Sequence, residues 1–387
     1  MGPAVRNGVR AAVGAESVAT GKGRGRGHDG YDLAMRGRHG PVPSSRARPD
    51  RPVPSSAMPD GAPVADRPPP PVPSDLTNAA AVGRLLSYHG IWLTKSLGQH
   101  LLVDRAILDR IVASADLHAE MEVLEIGPGV GVLTAELVKH VRRVVAVEVD
   151  PKMARALRTT VPDSVLEVVE ADAMTVDTAE LFGGRPYALV ANLPYNVATA
   201  IIRRLLALPA PARPVQMVVM IQREVAHRMA ALPGDLTALG VEIQVAAATK
   251  VLFEVPPTAF FPAPEVTSAV LRLIPYDEPV VPLVPTPRRF GQLVRSGFAH
   301  RRKQLHNALG TLGVGTPRID AALEAAGIAR SRRAETLTLA EWSALSLAIW
   351  GADGAHPEDE EAALGREDRT TRHRDDEAPV EVPEAGQ

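Results

Sequence analysis

The sequence predicts an α/β protein: a mostly parallel sheet with an antiparallel edge, covered by helices on both faces, followed by a small C-terminal helical domain. Three observations lead there. Between about residues 76 and 276, short Val/Ile/Leu-rich runs alternate with amphipathic stretches, the pattern of a parallel sheet buried on both sides. Four of those runs end, in chain order, in a glycine loop, Glu148, Asp172 and Asn192. From about residue 277 to 350 the apolar spacing becomes helical.

The elements follow in order. Residues 1–75 are dominated by Gly, Pro, Ser, Ala and Arg, with 11 Lys/Arg against 7 Asp/Glu. Such a segment cannot bury enough apolar surface to offset its ordering entropy, so it is expected to be disordered. Its modest positive charge reads as a solvated tail, with a weak RNA-attracting arm or an import signal as sharper alternatives. The strands read as 121–127 ("MEVLEIG"), 143–149 ("RVVAVEV"), 166–172 ("LEVVEAD"), 187–193 ("YALVANL") and 215–221 ("VQMVVMI"). Leu133–His140 and Pro151–Thr160 read as helices between them. Further on, "ALGVEIQVAAATKVLFEV" and "TSAVLRLIP" read as additional strands at an antiparallel edge. Three helical stretches, "PRRFGQLVRSGFAHRRKQLHNALG", "PRIDAALEAAGI" and "LTLAEWSALSLAIW", make a basic C-terminal domain over 277–350. Residues 351–387 hold 12 acids against 4 bases and few large apolar residues, and are expected to be disordered.

Composition narrows the function classes. The chain has no cysteine, which excludes disulfides, thiolate metal sites and a cysteine nucleophile. No apolar run reaches the roughly 18–20 residues of a membrane span, and no apolar segment follows a basic start. A cytoplasmic protein without a membrane or metal partner is therefore expected. The near-neutral total of −2 hides a basic helical segment beside an acidic tail, a distribution that suits a nucleic-acid enzyme.

Four motifs carry the chemistry. In "LEIGPGVGVLT", Leu124 to Thr134, a strand runs into glycines and then a helix. Glycines let backbone approach a ligand closely, and a helix N-terminus favours negative charge. The spacing is not the dinucleotide fingerprint, since Val132 and Leu133 follow Gly131. Glu125 and the Gly-Pro-Gly form resemble the first motif of class I methyltransferases, where the loop faces the methionine part of S-adenosylmethionine. Glu148, at the tip of the second strand, can accept hydrogen bonds from both hydroxyls of a ribose; a solvated strand-end carboxylate is the plainer alternative. Asp172, at the third strand end, is placed to accept from an adenine amine. The most specific motif is "NLPYN", Asn192 to Asn196. The lone pair of an exocyclic adenine amine is delocalised into the ring. Two acceptors on its hydrogens, the Asn192 side-chain carbonyl and the Leu193 backbone carbonyl, draw the nitrogen toward tetrahedral geometry. Pro194 stiffens the turn and Tyr195 stacks on a flipped base.

With these motifs the chain resembles the ribosomal RNA small-subunit adenine N6,N6-dimethyltransferases. The resemblance runs from about Lys95 to at least Ala308. It rests on "SLGQHLLVD", "EIGPGVGVLT", "VEVD", "ADAM", "NLPYNVAT", "MIQREVAHRM", "VPPTAFFPAPEVTSAVLRL" and "RRKQLHNAL". It implies a Rossmann-like class I methyltransferase sheet that uses S-adenosylmethionine and needs no metal. The implied reaction is methylation of two adjacent adenosines in the 3′-terminal hairpin loop of small-subunit rRNA, by a monomer acting on a pre-ribosomal particle. Residue by residue, it places His100, Leu102, Gly127, Glu148, Asp172 and Asn192 at the cofactor. It places Phe260 opposite Tyr195 at the target base. The family usually has Asn-Phe where this chain has His100–Leu101, so that contact is expected to persist with altered pH sensitivity. A second departure is Leu239–Gly240 where the family often has Tyr-Gly, which lightens one aromatic contact near the pocket. The cluster Arg301, Arg302 and Lys303 is expected on an amphipathic helix, facing RNA phosphates or simply solvated. Three other readings stand beside this one. They are a resistance-type methyltransferase of large-subunit RNA, a DNA adenine methyltransferase, which usually carries Pro-Pro-Tyr, and a non-catalytic nucleic-acid-binding factor on the same fold.

Overall fold

The computed structural model describes residues 75–93, 99–300 and 302–351. The expectations for the N-terminal extension up to residue 74, for the tail beyond 351 and for Arg301 lie outside them.

The strands β1 (Leu101–Leu102), β2 (Glu122–Ile126), β3 (Arg143–Glu148), β4 (Leu166–Glu170), β5 (Tyr187–Asn192), β6 (Gln216–Gln222), β7 (Ala247–Val255), β8 (Phe260–Phe261) and β9 (Ser268–Pro275) form two sheets. The large sheet has seven strands in the order β4-β3-β2-β5-β6-β9-β7. The first five are parallel, and β9 runs antiparallel between β6 and β7. The five parallel strands fall where the apolar runs predicted them. Antiparallel β9 is inserted one strand in from the edge, and β7 is the edge.

Helices α1 (Ala79–Tyr88), α2 (Arg105–Ser114), α3 (Thr134–Leu137) and α4 (Pro151–Thr160) precede β4. They are followed by α5 (Thr178–Phe182), α6 (Ala198–Leu206), α7 (Arg223–Met229) and α8 (Ala238–Gln244). Strand alternation divides the apolar residues between two cores. Val123, Val144 and Val218 pack with α1, α2 and Met153 on one face. Leu124, Val145, Leu189, Met217 and Val219 pack with α6 and Ile243 on the other. Helix starts are capped as their sequences allow: the Asn78, Asp104 and Asp150 side chains accept from Ala81, Ile107 and Lys152 N–H groups at 3.0, 3.0 and 2.8 Å.

Two expected elements change. Leu133–His140 yields only the single turn of α3; the Lys139 and His140 N–H groups bond back three residues, tightening the chain before it enters β3. The stretch from Ala238 to Gln244 is helix α8, not strand. Its apolar residues look alternating because the helix is buried on two opposite sides. Leu239 and Ile243 face the sheet core, whereas Val241 and Val245, two positions on in sequence, face a third core. Thr237 starts the helix by accepting from Gly240 N–H at 2.9 Å.

That third core joins α9 (Pro287–Phe298), α10 (Leu305–Leu309), α11 (Thr316–Ala325) and α12 (Leu339–Trp350). It takes in Leu236, Val241 and Val245, so the C-terminal helices close on residues that precede 277. Trp342, fully buried, stacks on Phe298 with ring centroids 5.6 Å apart and fills the space beside Gly297. A methyl group on Gly297 would collide with the Trp342 ring. Gly297→Ala is therefore expected to cost about 1–3 kcal/mol, the usual range for overpacking. A thermal melt reads this directly; an unchanged midpoint would mean that α9 and α12 have slack.

Candidate active site

The small sheet sets one wall of the site. β1 pairs antiparallel with β8, Leu101 opposite Phe261 and Leu102 opposite Phe260, and the Val103 N–H donates to the Ala259 carbonyl at 2.7 Å. This ribbon carries His100 to the carboxyl ends of β2 and β5. There the His100 Nδ1 donates to the Pro262 carbonyl at 2.7 Å, and the imidazole stacks on Tyr195 at 5.7 Å between centroids.

A cavity of about 350 Å³ opens at these strand ends. His100, Leu102, Gly127, Glu148, Asp172, Asn192, Leu193, Pro194 and Tyr195 all line it, as expected from the motifs. The glycine loop runs along its floor. Gly129 has φ +58°, and a Cβ there would lie 2.7 Å from Leu101 Cδ2, so any other residue would be strained in its backbone and would displace the Leu101 side chain. The Gly129 N–H reaches Glu148 Oε2 at 3.4 Å, and the Asp150 N–H reaches Oε1 at 3.0 Å. These two bonds hold the carboxylate at the strand tip and leave other lone pairs for a ligand. Burial pushes the Glu148 carboxyl up from its ordinary value, partly offset by the bonds from Asp150 and Gly129. Asp172 accepts from Met174 N–H at 2.8 Å through one oxygen and lines the cavity from the end of β4.

The turn after β5 is held from both sides. The Asn192 side-chain NH₂ donates to the His100 carbonyl at 3.0 Å, which fixes which way the amide points. The Leu193 N–H donates to the Met220 carbonyl, and the Pro194 carbonyl accepts from Val197 and Ala198 at the start of α6. Among the described residues no backbone hydrogen bond reaches the Leu193 carbonyl. Tyr195 shares a 2.5 Å hydrogen bond with the buried Ser268 hydroxyl on β9, and burial pushes its phenol up from its ordinary value.

Two expected placements are corrected. Phe260 does not line the cavity: it is 4% exposed within the core under α1 and α2. Alternation along the two-residue strand turns Phe260 inward with Leu102 and leaves Phe261 on the outside. Arg302 and Lys303 are exposed, but they sit in the loop between α9 and α10, because α9 ends at Phe298 and α10 begins at Leu305. The cavity also includes a residue that the motifs did not single out as a ligand. Glu125, 2% exposed on β2, accepts from the Thr134 hydroxyl at 2.7 Å. Its signal in the sequence is an acid set inside an apolar strand. Ser268, the partner of Tyr195, had no such signal, since 73 residues separate the two.

A sheet in this order, with its cavity at the carboxyl ends of the parallel strands and acids at successive tips, defines a class I methyltransferase. Residues 92–349 match the model of the family described as ribosomal RNA adenine dimethylase, and the chain belongs to that family. It is an S-adenosylmethionine-dependent rRNA adenine dimethyltransferase. Among its relatives is the ribosomal RNA small subunit methyltransferase A of Dehalococcoides mccartyi, 41% identical over 258 residues, covering 65% of this chain and 87% of the relative. The protein of the same name from Pelotomaculum thermopropionicum is 40% identical over 295 residues, covering 72% and 99%. A solved dimethyladenosine transferase from Plasmodium falciparum shares the fold, with a TM-score of 0.54, 24% identity and coverage of 66% and 99%. The solved 23S rRNA methyltransferase ErmE superposes with a TM-score of 0.51 at 29% identity, covering 64% and 99%.

The site makes one stability prediction. Burial, opposed by the Thr134 hydrogen bond and reinforced by the charge of Glu148, pushes the Glu125 carboxyl from 4.5 to about 8. A pKa raised on folding stabilises the fold below the unfolded value, and that contribution is lost as pH rises through the folded one. Glu125→Gln is therefore expected to melt progressively higher than the parent as pH climbs from about 4.5 to 8, with a constant gap above. A gap independent of pH would contradict this.

Proposed function

We propose that this chain transfers methyl groups from S-adenosylmethionine to N6 of two adjacent adenosines in the 3′-terminal hairpin loop of small-subunit rRNA. It acts as a cytoplasmic monomer on a pre-ribosomal particle. The observation that carries the chemistry is the hydrogen bond from the Asn192 NH₂ to the His100 carbonyl. With the NH₂ engaged there, Asn192 Oδ1 is the acceptor presented to the cavity, and the unspent Leu193 carbonyl is the second. Two acceptors on the N6 hydrogens turn the nitrogen lone pair out of conjugation, toward an incoming methyl. Tyr195, braced by Ser268 and His100, is the face on which the flipped base lies.

The cavity fits the cofactor on its own geometry. It has Gly127 and Gly129 in its lining, a carboxylate with spare lone pairs at the β3 tip and a second acid just beyond the β4 tip. Glu148 would hold the ribose hydroxyls, Asp172 would accept from the adenine amine, and Gly127, His100 and Leu102 would contact the rest of the cofactor. When bound, the cofactor supplies an electrophilic methyl group. Catalysis by this chain is positioning and electrostatics. Each transfer adds one methyl to N6 and releases one N6 proton, twice per base. Phe260 acts from behind: it anchors the β1–β8 ribbon that holds His100. The C-terminal helices grip RNA, with Arg302 and Lys303 touching phosphates.

The deciding assay is methyl transfer from labelled S-adenosylmethionine to immature small and large subunits lacking adenine methylation, followed by nucleoside analysis. Dimethyladenosine is expected in small-subunit RNA. Asn192→Ala is expected to lower the rate by about 10²–10³, the usual loss when one preorganised polar group at a reacting centre is removed. Label on the large subunit alone would favour the resistance-type reading that the likeness to ErmE raises. Cofactor binding without any label would favour a non-catalytic factor. Replacing both Arg302 and Lys303 by Ala is expected to weaken RNA binding across sequences and to reduce the slope of log affinity against log salt by about 2. An unchanged slope would remove both residues from the RNA interface.

A further inference from the structure

A second cavity, of about 670 Å³, lies where α6, α8 and α9 meet. Much of its lining is apolar: Leu206 and Ile243 belong to the sheet core, Phe290 and Val294 to the core of the C-terminal helices. Its charged lining is Arg203, Arg213, Arg295 and one acid, Glu242, which pairs with Arg203 at 2.5 Å. The other bases of this flank have no such partner. Among the described residues no acid bonds to Arg213, Arg288, Arg295, Arg302 or Lys303. Further along the C-terminal helices the acids are engaged, Asp320 by Arg330 and Glu341 by Arg332. Asp277 and Glu278, exposed in the loop before α9, are the acids that adjoin the cavity lining in sequence. Five unpaired bases against these two leave the flank positive.

An occupant that suits this lining is acidic and apolar together, and the chain carries such a segment. Residues 352–387 hold 12 acids against 4 bases. Within them Glu358, Asp359, Glu360 and Glu361 are followed directly by Ala362, Ala363 and Leu364, the one leucine of that stretch. It starts within reach. Helix α12 ends at Trp350, whose ring centroid lies 5.9 Å from the Arg289 guanidinium carbon at the start of α9. The part of α9 that lines the cavity, Pro287 to Arg295, is about 12 Å long, and the six residues 352–357 span up to about 20 Å. An RNA strand brings phosphates to such a lining but no aliphatic side chain. We propose that residues 358–364 of this chain dock in this cavity, the alanines and Leu364 on its apolar lining and the acids on Arg213, Arg295 and the unpaired bases beside them. The tether holds the segment at an effective concentration on the order of millimolar. Docked, its acids stand about one turn of α9 before the loop that carries Arg302 and Lys303, since α9 ends at Phe298. The tail then competes with RNA for that loop, so that only an RNA with further contacts displaces it. The competition, unlike the docking, rests on the RNA contact proposed above.

The chain has no cysteine, so a pair of introduced cysteines reports proximity without background. In the full chain, Ala363→Cys is combined with Ala207→Cys in the cavity lining, or with Ala113→Cys, exposed on α2 across the sheet, as control. Under mild oxidation the Ala207 pair is expected to close about tenfold faster than the control, as docking concentrates the segment at the cavity. Replacing Glu358, Asp359, Glu360 and Glu361 by their amides is expected to remove that advantage. Equal rates for the two pairs, or an advantage that survives loss of the acids, would overturn the docking. The four-amide variant is also expected to bind an RNA duplex of arbitrary sequence about tenfold more tightly than the parent at low salt. Unchanged affinity would overturn the competition. RNA that shields Ala207→Cys from alkylation equally in the parent and the four-amide background would make the cavity an RNA site and overturn the proposal. Absence of RNA binding by any variant would overturn the RNA contact proposed above and the competition, while the cross-link still decides the docking.

Discussion

Three pieces of chain converge on the glycine loop after β2, and at Gly129 and Gly131 they come close enough to crowd a Cβ. The Pro194 ring lies 3.5 Å from where a Cβ on Gly127 would be. Leu101 occupies the corresponding space at Gly129, and Leu157 and Val161 of the α4 end occupy it at Gly131. The loop thus draws together the ends of β5, β1 and α4. Each of those contacts carries one element of the site: the Asn192–Tyr195 turn, the ribbon holding His100, and the helix that follows Glu148. Bulk added at Gly129 or Gly131 would press on Leu101, Leu157 and Val161, which come from distant stretches of sequence.

β2 also shows how one strand serves stability at one end and chemistry at the other. Glu122 and Glu125 are both about 2% exposed. At the amino end, burial raises Glu122, but Arg185, Arg142 and Arg143 donate to it and hold its carboxyl below the usual range. At the carboxyl end, Glu125 has no such partners and moves the other way. The arginines tie β2, β3 and the approach to β5 together at the base of the sheet. The opposite end keeps a cavity lined by three carboxyl groups, Glu125, Glu148 and Asp172. This polarity follows from the parallel arrangement, which puts all the ligand-bearing loops at the same end.

The C-terminal helices are joined to the sheet through α8, a seven-residue helix with apolar residues on two faces. Leu239 and Ile243 belong to the core shared with α6, and Val241 and Val245 to the core shared with α9 and Trp342. A helix buried on both sides transmits position rigidly, because neither core compresses easily. The RNA-gripping helices in the proposed function are therefore set relative to the cavity by packing.

The sequence by itself determined the parallel strands, their order of motifs and the residues at the strand ends. These follow from local rules: apolar run length, glycine freedom and the acids that terminate runs. Gly127, Glu148, Asp172 and Asn192 to Tyr195 were legible for that reason, and all of them line one cavity. Family resemblance added His100 and Leu102, and also pointed to Phe260. Tertiary structure alone decided the rest. It turned Phe260 into the core, because strand alternation beside Leu102 leaves only one side facing out. It made α8 a helix, because two cores bury it where one would give a helical period. It placed Arg302 and Lys303 in a loop between helices. It paired Tyr195 with Ser268 and fixed the Asn192 amide against the His100 carbonyl, contacts across 73 and 92 residues that no spacing rule encodes. Local rules name the groups a site contains; only the packed chain settles which of their atoms are already engaged and which are left for a ligand.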